Sequence, residues 1–236
     1  MLTDADAVRT STWRIYWGLL VVSLAIAMVP ALVPSLDIAV SGYFLQANPP
    51  LKTKDWWWVH LINEYTPTVF RTLVFICLIA WIVTSLRPRL RRWVLPIAFV
   101  GLAIFMGPGL LVGAVKDLTL RARPFHVTEF GGERQFSPAL QRTNQCNDNC
   151  AFVSGHTADG FLLASLLLLD RRRRWVWSAV GVVSGLMVGF ARISVGAHWL
   201  SDVLWALPVT LVASGLVWLF LSRIYKTQIG SESPLP

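Results

Sequence analysis

The sequence predicts an all-α protein that crosses a membrane several times, and three observations carry that reading. More than half of the 236 residues are hydrophobic (55%) and only 14% are charged; mean hydropathy is positive; and the charges cluster between apolar runs, each about long enough to cross roughly 30 Å of hydrocarbon. The runs fall at 15–34, 67–86, 93–115, 152–169, 174–191 and 203–222, giving six expected spans. Backbone amides at that depth need internal partners, and a closed barrel would show short segments of alternating polarity, so the spans are expected to be helices of one domain, 1–236.

The first run resembles a secretory signal only superficially. It is long, contains Pro30 and Pro34, and follows a segment with Asp4 and Asp6 as well as Arg9 and Arg14, which favours a retained helix. From Ser35 to Phe44 spaced apolar positions predict a short helix in the headgroup layer, followed by Pro49-Pro50 and an interfacial belt of Trp56, Trp57 and Trp58. A substrate-gripping aromatic patch is the alternative. His60 and Glu64, four apart on the next helix, read as interfacial polar residues outside any site. The fourth and fifth runs are separated by a short turn, and the segment from about 228 to 236 is expected to be disordered.

Orientation follows from the basic residues. Arg87, Arg89, Arg91 and Arg92 lie between the second and third runs, Arg171 to Arg174 between the fourth and fifth, and Arg223 and Lys226 after the sixth. These share one side, which the positive-inside rule makes cytoplasmic together with both termini. The opposite side receives the loops at 35–66, 116–151 and 192–202. The second of them carries Lys116, Arg121, Arg123, Arg134 and Arg142 against the usual bias, and an anionic ligand is the simplest reason to keep them there. In the same loop Cys146 and Cys150 can form a disulfide closing a tight turn before Ser154; two thiolates without a matching pair fall short of a metal site.

Three short segments carry the chemistry. In the first, Lys116 closes the third run and Arg123 follows seven residues later, ahead of Pro124, offering a point charge and a planar fork to phosphate oxygens. The second is Ser154-Gly155-His156, where serine suits a helix N-cap and bare backbone amides face whatever anion sits there. In the third, Arg192 precedes His198 and Asp202, which are four apart and on a helix would share a face, so that the carboxylate takes one ring nitrogen and leaves the other as a nucleophile. Each segment alone has a bland reading: a snorkelling anchor, a cap, a satisfied ion pair. All three fall at span ends on one side of a topology deduced from other residues.

In that order and spacing the segments resemble the three motifs of the type 2 phosphatidic acid phosphatase (PAP2) superfamily of membrane lipid phosphatases. Val153 stands where proline is usual and Ala191 where serine is usual, departures that touch loop geometry and no catalytic group. The motif core covers 116–202. The resemblance implies that His198 attacks phosphorus, that Asp202 orients its ring, and that His156 protonates the leaving oxygen and then activates water. It further implies that Lys116, Arg123, Ser154, Gly155 and Arg192 hold the non-bridging oxygens, with no cofactor and no metal. Asp117, Arg121, His126, Asp159, Arg134 and Arg142 are near enough to line the rim, Arg121 and His126 being the preferred supporting residues.

The implied partners are a phosphorylated membrane lipid and the bilayer, not nucleic acid, in a bacterial inner membrane with the site periplasmic. The stretch from Phe130-Gly131-Gly132 through the two cysteines to His156 is similar to bacterial lipid A phosphatases of the superfamily. Phosphatidylglycerophosphate, phosphatidic acid and undecaprenyl pyrophosphate remain competing substrates. A phosphotransferase using the same intermediate, or a non-catalytic lipid transporter or scaffold, are the other readings.

Overall fold

The computed structural model describes residues 4–47 and 51–226; the expected disordered tail and Pro49-Pro50 lie outside the described residues. The chain is all-α. Helix α1 runs over Asp4–Leu32 and turns at Pro34 into α2, Ser35–Leu45. A 3-10 turn, Thr53–Asp55, leads to α3, Trp57–Leu86, which begins ten residues before the predicted run and so takes His60 and Glu64 onto the helix. Helix α4, Val94–Ile104, continues through a π-helical stretch, Phe105–Leu111, into α5, Val112–Thr119. Pro108 lies inside that stretch; lacking an amide proton it cannot complete the regular ladder, which accounts for the local widening. After a long loop come α6, Gly155–Ser165, α7, Arg174–Ser194, α8, Leu200–Leu204, and α9, Ala206–Ile224.

Among the described residues five segments are long and apolar enough to cross a membrane: Val8–Leu32, Trp57–Leu86, Pro88–His126, Arg174–Ser194 and Leu200–Ile224. The sixth expected span, 152–169, is not among them. Its helix is the 11 residues of α6 plus the 3-10 turn Leu166–Leu168, roughly 20 Å at 1.5 Å per residue. Its apolarity has another cause. Helix α6 packs on α7 and α9, and Ala158, Phe161, Leu162, Ala164, Leu167 and Leu168 are all buried, so protein surrounds it.

Small residues let α7 close on α6. Gly181, Gly185 and Gly189 recur every four residues, and a Cβ at Gly181 would lie 2.0 Å from the Ala164 nitrogen, one at Gly185 2.0 Å from the Phe161 ring. On the other side of the core the Tyr16 hydroxyl donates to the Leu211 carbonyl at 2.6 Å, tying α1 to α9, and Phe99 meets Trp218 edge-on at 5.6 Å, tying α4 to α9. The outward faces remain apolar: Trp17, Phe75, Ile79, Leu216 and Phe220 are exposed, as lipid contact requires.

The Trp81 indole donates to the Tyr225 hydroxyl at 3.3 Å and the Arg171 guanidinium lies 5.6 Å from the Trp218 ring, so the arginine-bearing segments after α3 and α6 meet the end of α9, away from the helix ends that carry the three motifs. Helix α2 docks on α1, α7 and α8 with Asp37 and Ser41 fully buried, so it walls the motif end. Trp56 and Trp58 stack on Phe190 of α7 at 6.2 and 5.8 Å.

The close approach of α6 and α7 is testable. Gly181→Ala should lower stability in detergent by about 1–3 kcal/mol through overpacking against backbone, whereas Gly113→Ala, with nothing within 4 Å of its Cβ, should be neutral or stabilising. Thermal unfolding of the two variants checks this; equal melting temperatures would contradict it.

Candidate active site

Lys116 lies on the last turn of α5, which Leu120 ends by adopting a left-handed conformation. Arg123 follows at the turn opened by Pro124. The backbone then returns to the site: the Thr119 hydroxyl donates to the Phe152 carbonyl at 3.3 Å and the Ala151 amide to the Arg121 carbonyl at 2.9 Å, which brings the end of α5 against the segment entering α6. Ser154 caps α6, its Oγ accepting from the Thr157 amide at 3.4 Å and the Thr157 hydroxyl at 2.8 Å. Its own hydroxyl proton is thereby left for a further acceptor. At Gly155 an added Cβ would meet only Val112, at 3.7 Å, so protein packing does not account for the bare backbone there.

The third motif differs locally from expectation. His198 and Asp202 do pair, with Nδ1 and Oδ2 3.3 Å apart, but His198 precedes the helix. Trp199 is the N-cap residue of α8 and its amide donates to the Asp202 carboxylate at 2.8 Å, so the chain folds back and brings the ring onto Oδ2. The His198 and Ala197 amides both donate to the Arg192 carbonyl, at 3.3 and 3.0 Å, fixing the loop to the end of α7. The Ser154 amide donates to the Asp202 carbonyl at 3.1 Å, joining the second motif to the third.

All eight candidate residues converge at this end. His198 is buried (1% exposed) and feels the charges of Arg123, Arg192 and Lys116 and the ring of His156. Burial first, then those cations, hold its imidazole well below the ordinary value of 6.5, so it is neutral. His156, at the start of α6, is lowered to about 3 by burial and then by Arg192. A bound dianion opposes those cations and raises both rings, so protonated His156 is a species that substrate binding favours.

Two asparagines with no role assigned from sequence hold the cations. Asn149 accepts from Lys116 Nζ through Oδ1 at 3.1 Å and from Arg123 Nε and an Arg123 terminal nitrogen through its carbonyl at 3.0 and 2.8 Å. It sits at φ 47° in the turn closed by the Cys146–Cys150 disulfide, a conformation asparagine tolerates better than most residues. Asn63 on α3 accepts from an Arg192 terminal nitrogen through Oδ1 and offers its carbonyl 3.4 Å from His156 Nε2. The Nε–H of Arg192 is buried and has no hydrogen-bond partner among the described residues, which leaves a donor for a ligand.

Arg121 is not at the rim. It is 1% exposed and bridges two carboxylates, Asp37 and Asp202, each at 2.7 Å, with Ser137 and Ser201 oxygens taking further N–H groups at 2.8 and 2.7 Å. Its plane lies beside Phe136 and Trp199, and the Trp199 indole donates to the Ala122 carbonyl at 2.8 Å. Sequence reasoning missed Asp37 altogether; an acidic residue in an otherwise apolar short helix was the available signal. His126 instead lies outside, its ring edge-on to Phe125, and Arg134 and Arg142 are exposed. Asp159 is buried one turn below His156. Among the described residues no group of three or more His, Cys, Asp or Glu side chains is placed to hold a metal ion; Asp37 and Asp202 both serve Arg121.

The PAP2 superfamily model matches residues 95–226. The chain is 30% identical over 198 residues to a lipid A 4'-phosphatase of Francisella tularensis subsp. novicida (strain U112), covering 80% of this chain and 88% of that one. It is 37% identical over 102 residues to a lipid A 4'-phosphatase of Rhizobium leguminosarum, 42% and 44% of the two chains. A third match, 39% over 72 residues, is to an undecaprenyl-diphosphatase of Bacillus subtilis (strain 168), 30% and 36% of the two chains. No solved structure gives a significant match.

Two measurements probe the geometry. Arg121→Met should cost about 3–5 kcal/mol of stability because it leaves two buried carboxylates facing each other, and adding Asp37→Asn should recover part of the loss; additive effects in thermal unfolding would contradict the shared guanidinium. In detergent, nitrogen-15 NMR should find the His198 ring neutral at about pH 5.5, a unit below an ordinary histidine, since a lowered pKa extends the neutral form toward acid; a charged ring there would contradict the burial argument.

Proposed function

The chain belongs to the PAP2 superfamily, as a lipid phosphate phosphatase, and from that premise we propose that it hydrolyses the 4'-phosphomonoester of lipid A through a phosphohistidine at His198. One observation carries the mechanism: a buried, neutral imidazole whose Nδ1 is engaged by Asp202 stands among three cations, one of which has an unpartnered buried N–H. That is a nucleophile beside a cradle for the oxygens of the group it attacks.

His198 Nδ1–H donates to Asp202, so the lone pair on Nε2 is free to attack phosphorus. The N–P bond forms as the P–O bond to the sugar breaks, and the leaving oxygen takes a proton from His156. Lys116, Arg123, Arg192, the Ser154 hydroxyl and the Gly155 amide hold the three non-bridging oxygens, where negative charge must be stabilised along the in-line path. In the second half His156, now neutral, takes a proton from water as it attacks, the N–P bond breaks, and inorganic phosphate leaves. The steps use protein groups alone.

The substrate assignment rests on the relative of which this chain covers 88%. A polyprenyl pyrophosphate is the second reading, favoured by the shorter match to the undecaprenyl-diphosphatase. The periplasmic face rests on the arginine-rich loops at the opposite end of the bundle. The sunken start of α6 suits a lipid that presents its phosphate from the headgroup layer while its chains stay in the bilayer.

Phosphate release from lipid A, phosphatidylglycerophosphate, phosphatidic acid and undecaprenyl pyrophosphate in neutral detergent tests the assignment, with lipid A expected to give the highest kcat/KM and a polyprenyl pyrophosphate in first place overturning it. On the preferred substrate His198→Ala should lower kcat at least about 1,000-fold and His156→Ala about 10²–10⁴-fold, with melting temperatures retained. Turnover should persist in chelator and fall with vanadate. Radiolabel passing to a second lipid rather than to free phosphate would make the protein a transferase.

A further inference from the structure

The cavity at the motif end has a volume of about 620 Å³, the size of a small-molecule site and far more than one phosphoryl group needs. One side is made by Arg123 and Arg192 of the cradle, with Phe125 and Ala197 supplying apolar surface. The rest includes two groups that the mechanism does not use, Lys54 from the connection between α2 and α3 and His60 from the first turn of α3.

Residues 53–58 are held firmly. Thr53, 1% exposed, donates its hydroxyl to the Ser194 carbonyl at the end of α7, 2.9 Å away, and Trp56 and Trp58 stack on Phe190 of the same helix. Lys54 is therefore anchored two residues from the stack and one from the hydrogen bond, beside the helix end that carries Arg192. Neither Lys54 nor His60 has a side-chain hydrogen-bond or ion-pair partner among the described residues, and the acidic residues nearest in sequence, Asp55 and Glu64, do not line the cavity. A lysine serving only as an interfacial anchor would turn its ammonium toward lipid headgroups around the protein; this one lines the same chamber as the phosphoryl cradle.

We propose that Lys54 and His60 form a second anion-binding subsite in this chamber, which takes a further acidic group on the headgroup of the substrate while the cradle holds the phosphoryl group to be cleaved. The inference rests on the phosphatase reading above and refines its substrate class: a lipid with two anionic groups on one headgroup, of which only one reaches His198. A second cation placed apart from the reacting atoms discriminates between substrates through binding and leaves the chemical step unchanged.

The experiment uses the full chain in neutral detergent with two synthetic glycolipids of identical acyl chains, one carrying two phosphates and one carrying only the phosphate that is cleaved. Lys54→Glu should raise KM for the bisphosphorylated lipid about tenfold or more, while kcat for both lipids and KM for the monophosphorylated one stay within about twofold. Lys54→Arg should restore the wild-type KM, and His60→Gln should raise the same KM about threefold. Equal changes on both lipids, or none on either, would overturn the subsite. So would a monophosphorylated substrate that becomes sensitive to Lys54→Glu when anionic phospholipid is added, because the cation would then be reading neighbouring lipids. Failure of the phosphohistidine reading shows separately, as turnover of the monophosphorylated lipid by His198→Ala, a reaction in which Lys54 takes no part.

Discussion

Everything at the motif end depends on one guanidinium held between two carboxylates. Arg121, Asp37 and Asp202 are all fully buried, and a lone charge there would be untenable. The fork geometry of arginine satisfies both acids at once and still reaches the Ser137 carbonyl and the Ser201 hydroxyl. Because Asp202 is fixed through one oxygen by Arg121, its other oxygen is free to take the Trp199 amide and the His198 ring. The same cation draws α2, the loop after α5 and α8 together through Asp37, whose second oxygen receives the Ser201 amide. Alignment of the proposed nucleophile and tertiary closure are thus one interaction, and neither is secured without the other.

A similar economy governs the cations of the cradle. Like charges converging in a partly dry site repel, and each needs a neutral acceptor to hold it without cancelling it. Asn149 does this for Lys116 and Arg123, and Asn63 for Arg192 while also facing His156. A carboxylate in either place would hold the cations better and weaken their grip on an anion. The disulfide between Cys146 and Cys150 contributes by fixing the turn from which Asn149 points inward.

The parts of this protein that were legible from sequence are those in which neighbours along the chain carry the signal. Apolar runs marked the spans, basic loops marked one end, and the motif residues marked the other. Three features were illegible for a common reason: their meaning depends on what lies across the bundle. Asp37 reads as an interfacial acid until Arg121, 84 residues later, is placed against it. Asn63 is an ordinary polar residue near a helix start until Arg192 and His156 arrive. The run at 152–169 is as apolar as a lipid-facing helix, but core burial and lipid exposure select the same residue types, so length and hydropathy cannot tell them apart. The i, i+4 spacing of His198 and Asp202 identified the right pair through the wrong local structure, since a capping carboxylate reaches back to the residue before the cap as readily as a helical one reaches its neighbour.

The central claim is that His198 Nε2 forms a bond to phosphorus during turnover. Rapid acid-free quenching of the enzyme with its lipid substrate, followed by mass spectrometry of the peptides, tests it most directly, and His156→Ala, which slows the water step, should raise the yield. An acid-labile, base-stable phosphoryl group on the His198 peptide, appearing and decaying at rates compatible with turnover, is the predicted result. Steady phosphate release with no phosphoryl group on His198 at any quench time, in wild type or variant, would contradict the account.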